Sequence, residues 1–180
     1  MLMSDSIRPP RSWTANLDQS VDNDKDAGGG SMLDPIERDA LDSAVPFAAE
    51  HARRYIATAG EDDGWEGPRP ILLLYTIGRK SGAVRRNPLL YFEFEDQIHI
   101  IGSKGGSAEH PLWFRNLVAQ PSVHIRVRDR FMVARAEVLR AIDRAVVWPH
   151  LIERYPMFGD YQQHTEREIP LVRLRTGYTA

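Results

Sequence analysis

The residues best suited to chemistry are cations set among glycines. Gly78-Arg79-Lys80-Ser81-Gly82 is followed by Arg85 and Arg86, and a second glycine-rich turn, Ser103-Lys104-Gly105-Gly106, carries a further cation. No acid lies between Glu66 and Glu93, so the first turn keeps its charge. Glycine lets backbone N–H groups approach an anion, and lysine is a compact point charge suited to phosphate or carboxylate. Lysine is scarce among the 23 cationic residues, yet both turns carry one, Lys80 and Lys104. Hydrogen bonds to charged groups contribute about 1.5–3 kcal/mol each, whereas exposed ion pairs contribute about 0–1. These cations therefore form a site for a polyanionic ligand if they converge, and an ordinary hairpin with solvated charges if they do not. The spacing fits neither a Walker loop nor G-x-G-x-x-G, which excludes the common nucleotide and dinucleotide fingerprints.

Other reactive types give weaker patterns. His110-Pro111-Leu112-Trp113-Phe114-Arg115-Asn116 offers either a catalytic histidine or one that terminates an element beside a core tryptophan. The histidines do not pair with one another or with acids at metal-ligand spacing, so no metal site is expected. Ser81, Ser103 and Ser107 lack the G-x-S-x-G elbow of acyl transfer. Tyr155-Pro156-Met157-Phe158-Gly159-Asp160-Tyr161 is an aromatic cluster. It is either a hydrophobic patch closing the domain or a lid over a flat ring system with phenol donors.

The elements that must position these groups follow from period and punctuation. Asp34-Pro35-Ile36-Glu37 has the pattern of a capped helix start with a capping box, and Pro46 breaks or kinks that helix. Phe47 to Ala59 has helical spacing, Gly60 can end it, and Glu61 to Pro70 is a loop. From Ile71 the period becomes that of strands: Ile71–Tyr75, a run through Leu90, Phe92 and Phe94, Gln97–Ile101, Val123–Val127 and Met132–Val138. Helices are expected over His110–Ala119, from Asp143 through Tyr155 despite Pro149, and over Tyr161–Arg167. Ile169–Arg175 is the last strand, which Pro170 limits to an edge or a strand start. Hairpin-linked strands with short helices imply an antiparallel sheet or barrel in an α+β domain.

Length and charge bound the rest. The 180 residues suit one domain plus a tail, and a net charge of −2 argues against a general nucleic-acid binder. Absence of cysteine excludes disulfides and thiol chemistry and fits a reducing cytoplasm. No apolar run approaches a membrane span, and the charges on the first helices argue against membrane association. Residues 1–33, polar and ending near Gly28-Gly29-Gly30-Ser31, read as a disordered tail and linker, with Met32 an alternative start; residues 34–180 read as the folded domain.

Taken together, Thr76-Ile77-Gly78-Arg79-Lys80-Ser81-Gly82, Arg85-x-Asn87-Pro88-Leu89, Ser103-Lys104-Gly105-Gly106, His110 to Leu117, Tyr155 to Tyr161 and Glu168-Ile169-Pro170 resemble, in order and spacing, the deazaflavin-dependent nitroreductase family of actinobacteria. The resemblance covers about Tyr55 to Arg175. It implies a split β-barrel of the FMN-binding type that uses coenzyme F420, an 8-hydroxy-5-deazaflavin, to pass hydride to a quinone, enone or nitroaromatic acceptor. By the resemblance, Arg79, Lys80 and Arg85 meet the anionic tail, and Ser81 and Asn87 also belong to the coenzyme site. Ser103, Lys104 and Gly105 lie along the deazaflavin, and Pro88 and Leu112 form apolar walls. Tyr155, Phe158 and Tyr161 line the substrate pocket, with Tyr161, Tyr155 or Ser103 donating to the acceptor oxygen. Leu90 and Phe158 stand where members active on bulky acceptors carry tyrosine. The alternatives are FMN as cofactor in a related split-barrel reductase, or a non-enzymatic deazaflavin carrier. A homodimer is expected by analogy with other split barrels.

Overall fold

The computed structural model describes residues 34–61 and 69–177; the expected tail at residues 1–33 and most of the loop before Pro70 lie outside these. Six antiparallel strands close into a barrel in the order β1 (Ile71–Ile77), β2 (Val84–Phe94), β3 (Gln97–Ile101), β6 (Leu171–Thr176), β5 (Arg130–Val138) and β4 (Ser122–Val127). Of the antiparallel sheet or barrel that the pattern left open, the barrel implied by the family resemblance is the fold observed.

Because side chains alternate along a strand, the register decides which residues face the barrel interior. Leu72, Leu74, Ile98, Ile100, Ile125 and Leu174, all fully buried, share the inner face. The outer face carries Ile71, Leu73 and Tyr75, which pack with Ala52 and Tyr55 of helix α2 (Pro46–Ala57). Tyr55 locks that helix on: its hydroxyl donates to the Ile71 carbonyl at 2.8 Å and accepts from the Arg128 amide at 2.7 Å. Further round, Phe92, Ile101 and Leu171 pack against Val147 and Leu151 of α4 (Ala141–Arg154) and Phe158 of α5 (Met157–Gln163). Half-buried Leu90 touches both outer clusters. Helix α3 (Leu112–Ala119) reaches the inner face of β1, where Asn116 bonds Thr76.

Several boundaries differ from expectation, each for a physical reason. The first helix, α1, spans only Pro35–Asp39. Asp34 caps it, its Oδ1 accepting from the Ile36 amide at 2.8 Å, but Glu37 does not complete a capping box. Its buried carboxylate instead accepts from the Tyr75 hydroxyl at 2.5 Å and from Arg126 Nη1 at 2.7 Å. The chain then leaves the helix so that Leu41 can pair with β2, its amide donating to Val84 O and its carbonyl accepting from Arg86 N, each at 2.9 Å. Helix α5 begins at Met157 rather than Tyr161 and stops at Gln163, because the Gln162 side chain takes over the following loop. Its amide donates to Thr165 O and Arg167 O, and its carbonyl oxygen accepts from the Ile169 amide. Pro170, lacking an N–H, precedes β6 and only accepts, from Gly102. β6 is no edge strand, since it lies between β3 and β5.

Candidate functional site

The first cationic turn is held from within and from below. Gly82 N–H donates to Gly78 O at 2.7 Å, and Gly82 takes φ +70°, the left-handed backbone that glycine alone adopts without strain. From beneath, the buried Asn116 amide accepts the Arg79 N–H and donates to Thr76 Oγ1, both at 3.2 Å. Arg79, Lys80 and Ser81 consequently project into solvent on a fixed backbone. Among the described residues no carboxylate pairs with Arg79, Lys80 or Arg85.

The turn is shorter than its charge pattern implied. β2 begins at Val84, so Arg85 and Arg86 are strand residues and point to opposite faces. Arg85 and Asn87 share the inner face with Thr76 and Leu74; half-buried Arg85 lies at the turn, its Cγ near Gly78. Arg86 faces outward, is 9% exposed, and binds Asp42 at 2.5 Å. It holds α1 in place and is withdrawn from the expected cation cluster. Pro88 is also outward, beside Leu73, so Asn87 and Pro88 present their side chains to different spaces.

The second turn is the more unusual backbone. Lys104, Gly105 and Gly106 all have positive φ, at 48°, 61° and 78°. A lysine in that region is held against its own preference, and such strain concentrates at functional positions. Gly106 lies so close to α5 that a Cβ would stand 2.8 Å from the Tyr161 carbonyl oxygen, which places the turn directly on the helix carrying Tyr161. A Cβ on Gly105 would meet nothing within 4 Å, so the turn presents an open backbone surface. Ser103 is buried, and exposed Lys104 is 3.4 Å from Glu109, a solvent-screened pair that costs little to exchange. Leu112, 68% exposed, stands at the start of α3.

The aromatic cluster divides. Phe158 is 4% exposed and belongs to the core, with Tyr155 and Tyr161 edge-on to it at 6.4 and 6.0 Å. The two tyrosines are half-buried, and Phe158 braces both. His110 is no free base. Its Nδ1 is 3.4 Å from Arg167 Nη1, which can only donate, so His110 accepts there; burial first, then Arg167 and Arg115, hold its pKa below the usual histidine value. Among the described residues no cluster of histidines and acids is placed to hold a metal, and no helix is long and apolar enough to cross a membrane. Asn116 stands at the end of the His110 motif but has no role assigned from sequence, and neither has Arg167. A polar residue at a core-facing helix position was the available signal for Asn116; none existed for Arg167.

The closed antiparallel barrel with flanking helices is the architecture shared with a solved F420-dependent reductase. Residues 48–176 match the F420H2-dependent quinone reductase family, and the chain belongs to it. A Mycobacterium tuberculosis protein bearing that designation is 38% identical over 112 residues, covering 62% of this chain and 94% of its own length. Another from that species is 35% identical over 111 residues, covering 60% of this chain and 74% of its own. A solved F420-H2 dependent reductase (FDR-A) superposes with a TM-score of 0.54 at 35% identity, over 59% of this chain and 95% of that one. A chain described as a domain-swapped dimer gives 0.56 at 32% identity, over 70% and 95%. Membership makes the chain an oxidoreductase dependent on reduced coenzyme F420.

Proposed function

We propose that this chain binds reduced coenzyme F420 across its two glycine turns and passes hydride to a quinone held beside Tyr155 and Tyr161, with enones and nitroaromatics as further electrophiles to be tested. One observation supports the placement: the strained, open Ser103–Gly106 turn rests directly on the Tyr161 backbone, so a ring on that turn would lie close to the helix that carries Tyr161. The residues present fit the coenzyme. Arg79, Lys80 and Arg85 have no carboxylate partners among the described residues, which leaves their charge for phosphate and glutamate groups of the coenzyme tail. The bare backbone at Gly105 admits a flat ring without a side-chain clash.

Bound there, the coenzyme supplies the hydride from its C5 position. The protein binds, orients and excludes water. Ser103 and the Lys104–Gly105 backbone orient the ring, and Leu112 offers apolar cover. The Tyr161 or Tyr155 hydroxyl, or Ser103, would donate a hydrogen bond to the acceptor oxygen, where negative charge would be stabilised. Solvent returns the final proton. The half-buried Leu90, where both outer clusters meet, leaves the acceptor space without a further hydroxyl.

Two copies of the chain are proposed to form the working unit; light scattering of purified protein reads this directly. The function is tested by titrating the protein with coenzyme F420 and with FMN while following fluorescence, then by coenzyme oxidation in the presence of quinone, enone and nitroaromatic acceptors. Saturable quenching by F420 with quinone-dependent oxidation is expected. Preferential FMN binding, or tight F420 binding with no acceptor turnover, refutes the proposal.

A further inference from the structure

Arg167 lies in the loop between α5 and β6 and is half-buried. Its guanidinium reaches back across the site: Nε donates to Ser107 O at 2.8 Å, Nη2 donates to Ser103 O at 2.7 Å, and Nη1 faces His110 Nδ1 at 3.4 Å. The two carbonyls bracket the three left-handed residues Lys104, Gly105 and Gly106. Internally the turn has only two backbone bonds, Gly106 N–H to Ser103 O and Ser107 N–H to Lys104 O, both 3.1 Å. These do not explain why Lys104 stays at φ 48°. Among the described residues Arg167 has no carboxylate partner, so its donors are spent on the turn and its histidine.

We propose that Arg167 is a positioning residue for the coenzyme turn: by tying Ser103 O and Ser107 O to one rigid fork it holds Lys104–Gly106 in the left-handed form that presents the open Gly105 backbone beside Tyr161. This rests on the coenzyme placement proposed above. A planar guanidinium can hold two carbonyls at fixed separation, whereas an ammonium on a flexible stem cannot. His110, on the third donor, braces the fork's orientation. The loop that carries Arg167 is itself anchored by Gln162, whose amide donates to Arg167 O at 2.9 Å. A continuous chain of contacts thus runs from α5 to the turn.

The test uses the full chain and two variants, Arg167→Lys and Arg167→Met, each checked for folding by circular dichroism. Amide hydrogen exchange at Gly106 and Ser107 reads the turn without coenzyme, and the coenzyme F420 dissociation constant reads the site. Arg167→Met is expected to speed exchange at those two amides and to weaken coenzyme binding about 10-fold. Arg167→Lys should recover less than half of either loss despite keeping the charge. Arg167→Gln, which shortens the side chain and removes the fork while keeping it polar, should give the same paired signature and serves if Arg167→Met fails to fold. Full recovery by lysine would make the role one of charge and overturn the proposal, as would unchanged exchange. Faster exchange with unchanged coenzyme affinity also overturns it, by separating the turn from the coenzyme. Failure of the unmutated protein to bind F420 would instead remove the underlying functional proposal.

Discussion

Arg85→Ala and Lys80→Ala separate a coenzyme grip from a decorated hairpin. The two residues differ in setting: Lys80 is exposed at the tip of the turn, whereas Arg85 is half-buried on the inner face beside Thr76. A partly desolvated guanidinium bonded to phosphate or carboxylate is worth about 1.5–3 kcal/mol, so its loss should weaken coenzyme binding roughly 10- to 150-fold. The exposed ammonium is worth about 0–1 kcal/mol, so Lys80→Ala should cost at most about fivefold. The double variant should approach the product of the two, and its remaining binding should be less sensitive to salt, because the screened contacts have gone. Fluorescence titration at low and high ionic strength measures both quantities. Folding should be unaffected, since neither side chain has an ion-pair partner among the described residues. An Arg85→Ala protein that binds as tightly as the original, with the same salt dependence, refutes the anion-site reasoning.

Tyr161→Phe keeps the ring against Phe158 and removes the hydroxyl; kcat for quinone should fall while the coenzyme dissociation constant stays, and equal losses in both would mean a packing role. Asn116→Ala orphans the Thr76 hydroxyl and the Arg79 N–H, at about 1–3 kcal/mol, and should lower Tm by about 2–12 °C in a melting experiment. His99 is buried, and that desolvation pushes its pKa from 6.5 down to about 4. Between these values the unfolded chain binds more protons than the folded one, so His99's contribution is complete above 6.5 and is lost as pH falls toward 4. Denaturant midpoints at about pH 7 and about pH 5 should therefore differ less in His99→Gln than in the original protein.

Strand periods were legible because alternation in Leu90-Tyr91-Phe92-Glu93-Phe94 and Val123-His124-Ile125-Arg126-Val127 follows directly from one face being buried. What local pattern could not reveal was where charge is neutralised over long separations. Arg86 looked like a member of the cationic turn until its partner Asp42, 44 residues earlier, was placed beside it. Glu37 looked like half of a capping box, yet it serves Tyr75 and Arg126. Likewise, Arg167 bonds backbone carbonyls 60 and 64 residues away, and carbonyls leave no trace in residue type. The cations and glycines of the candidate site were readable from composition; the side chains that shape them were not.

The pairing of Leu41 with the start of β2 has a consequence for assembly. β3 reaches only as far along β2 as Tyr91, so Val84 to Arg86 would otherwise show bare amides and carbonyls on that side, a template for strand addition by another molecule. The segment that occupies this margin precedes residue 48, where the family match starts, and is fastened by Glu37 and Asp42. Leu41 closes that margin from within the same chain, so the start of β2 has its backbone groups satisfied without a strand from another molecule.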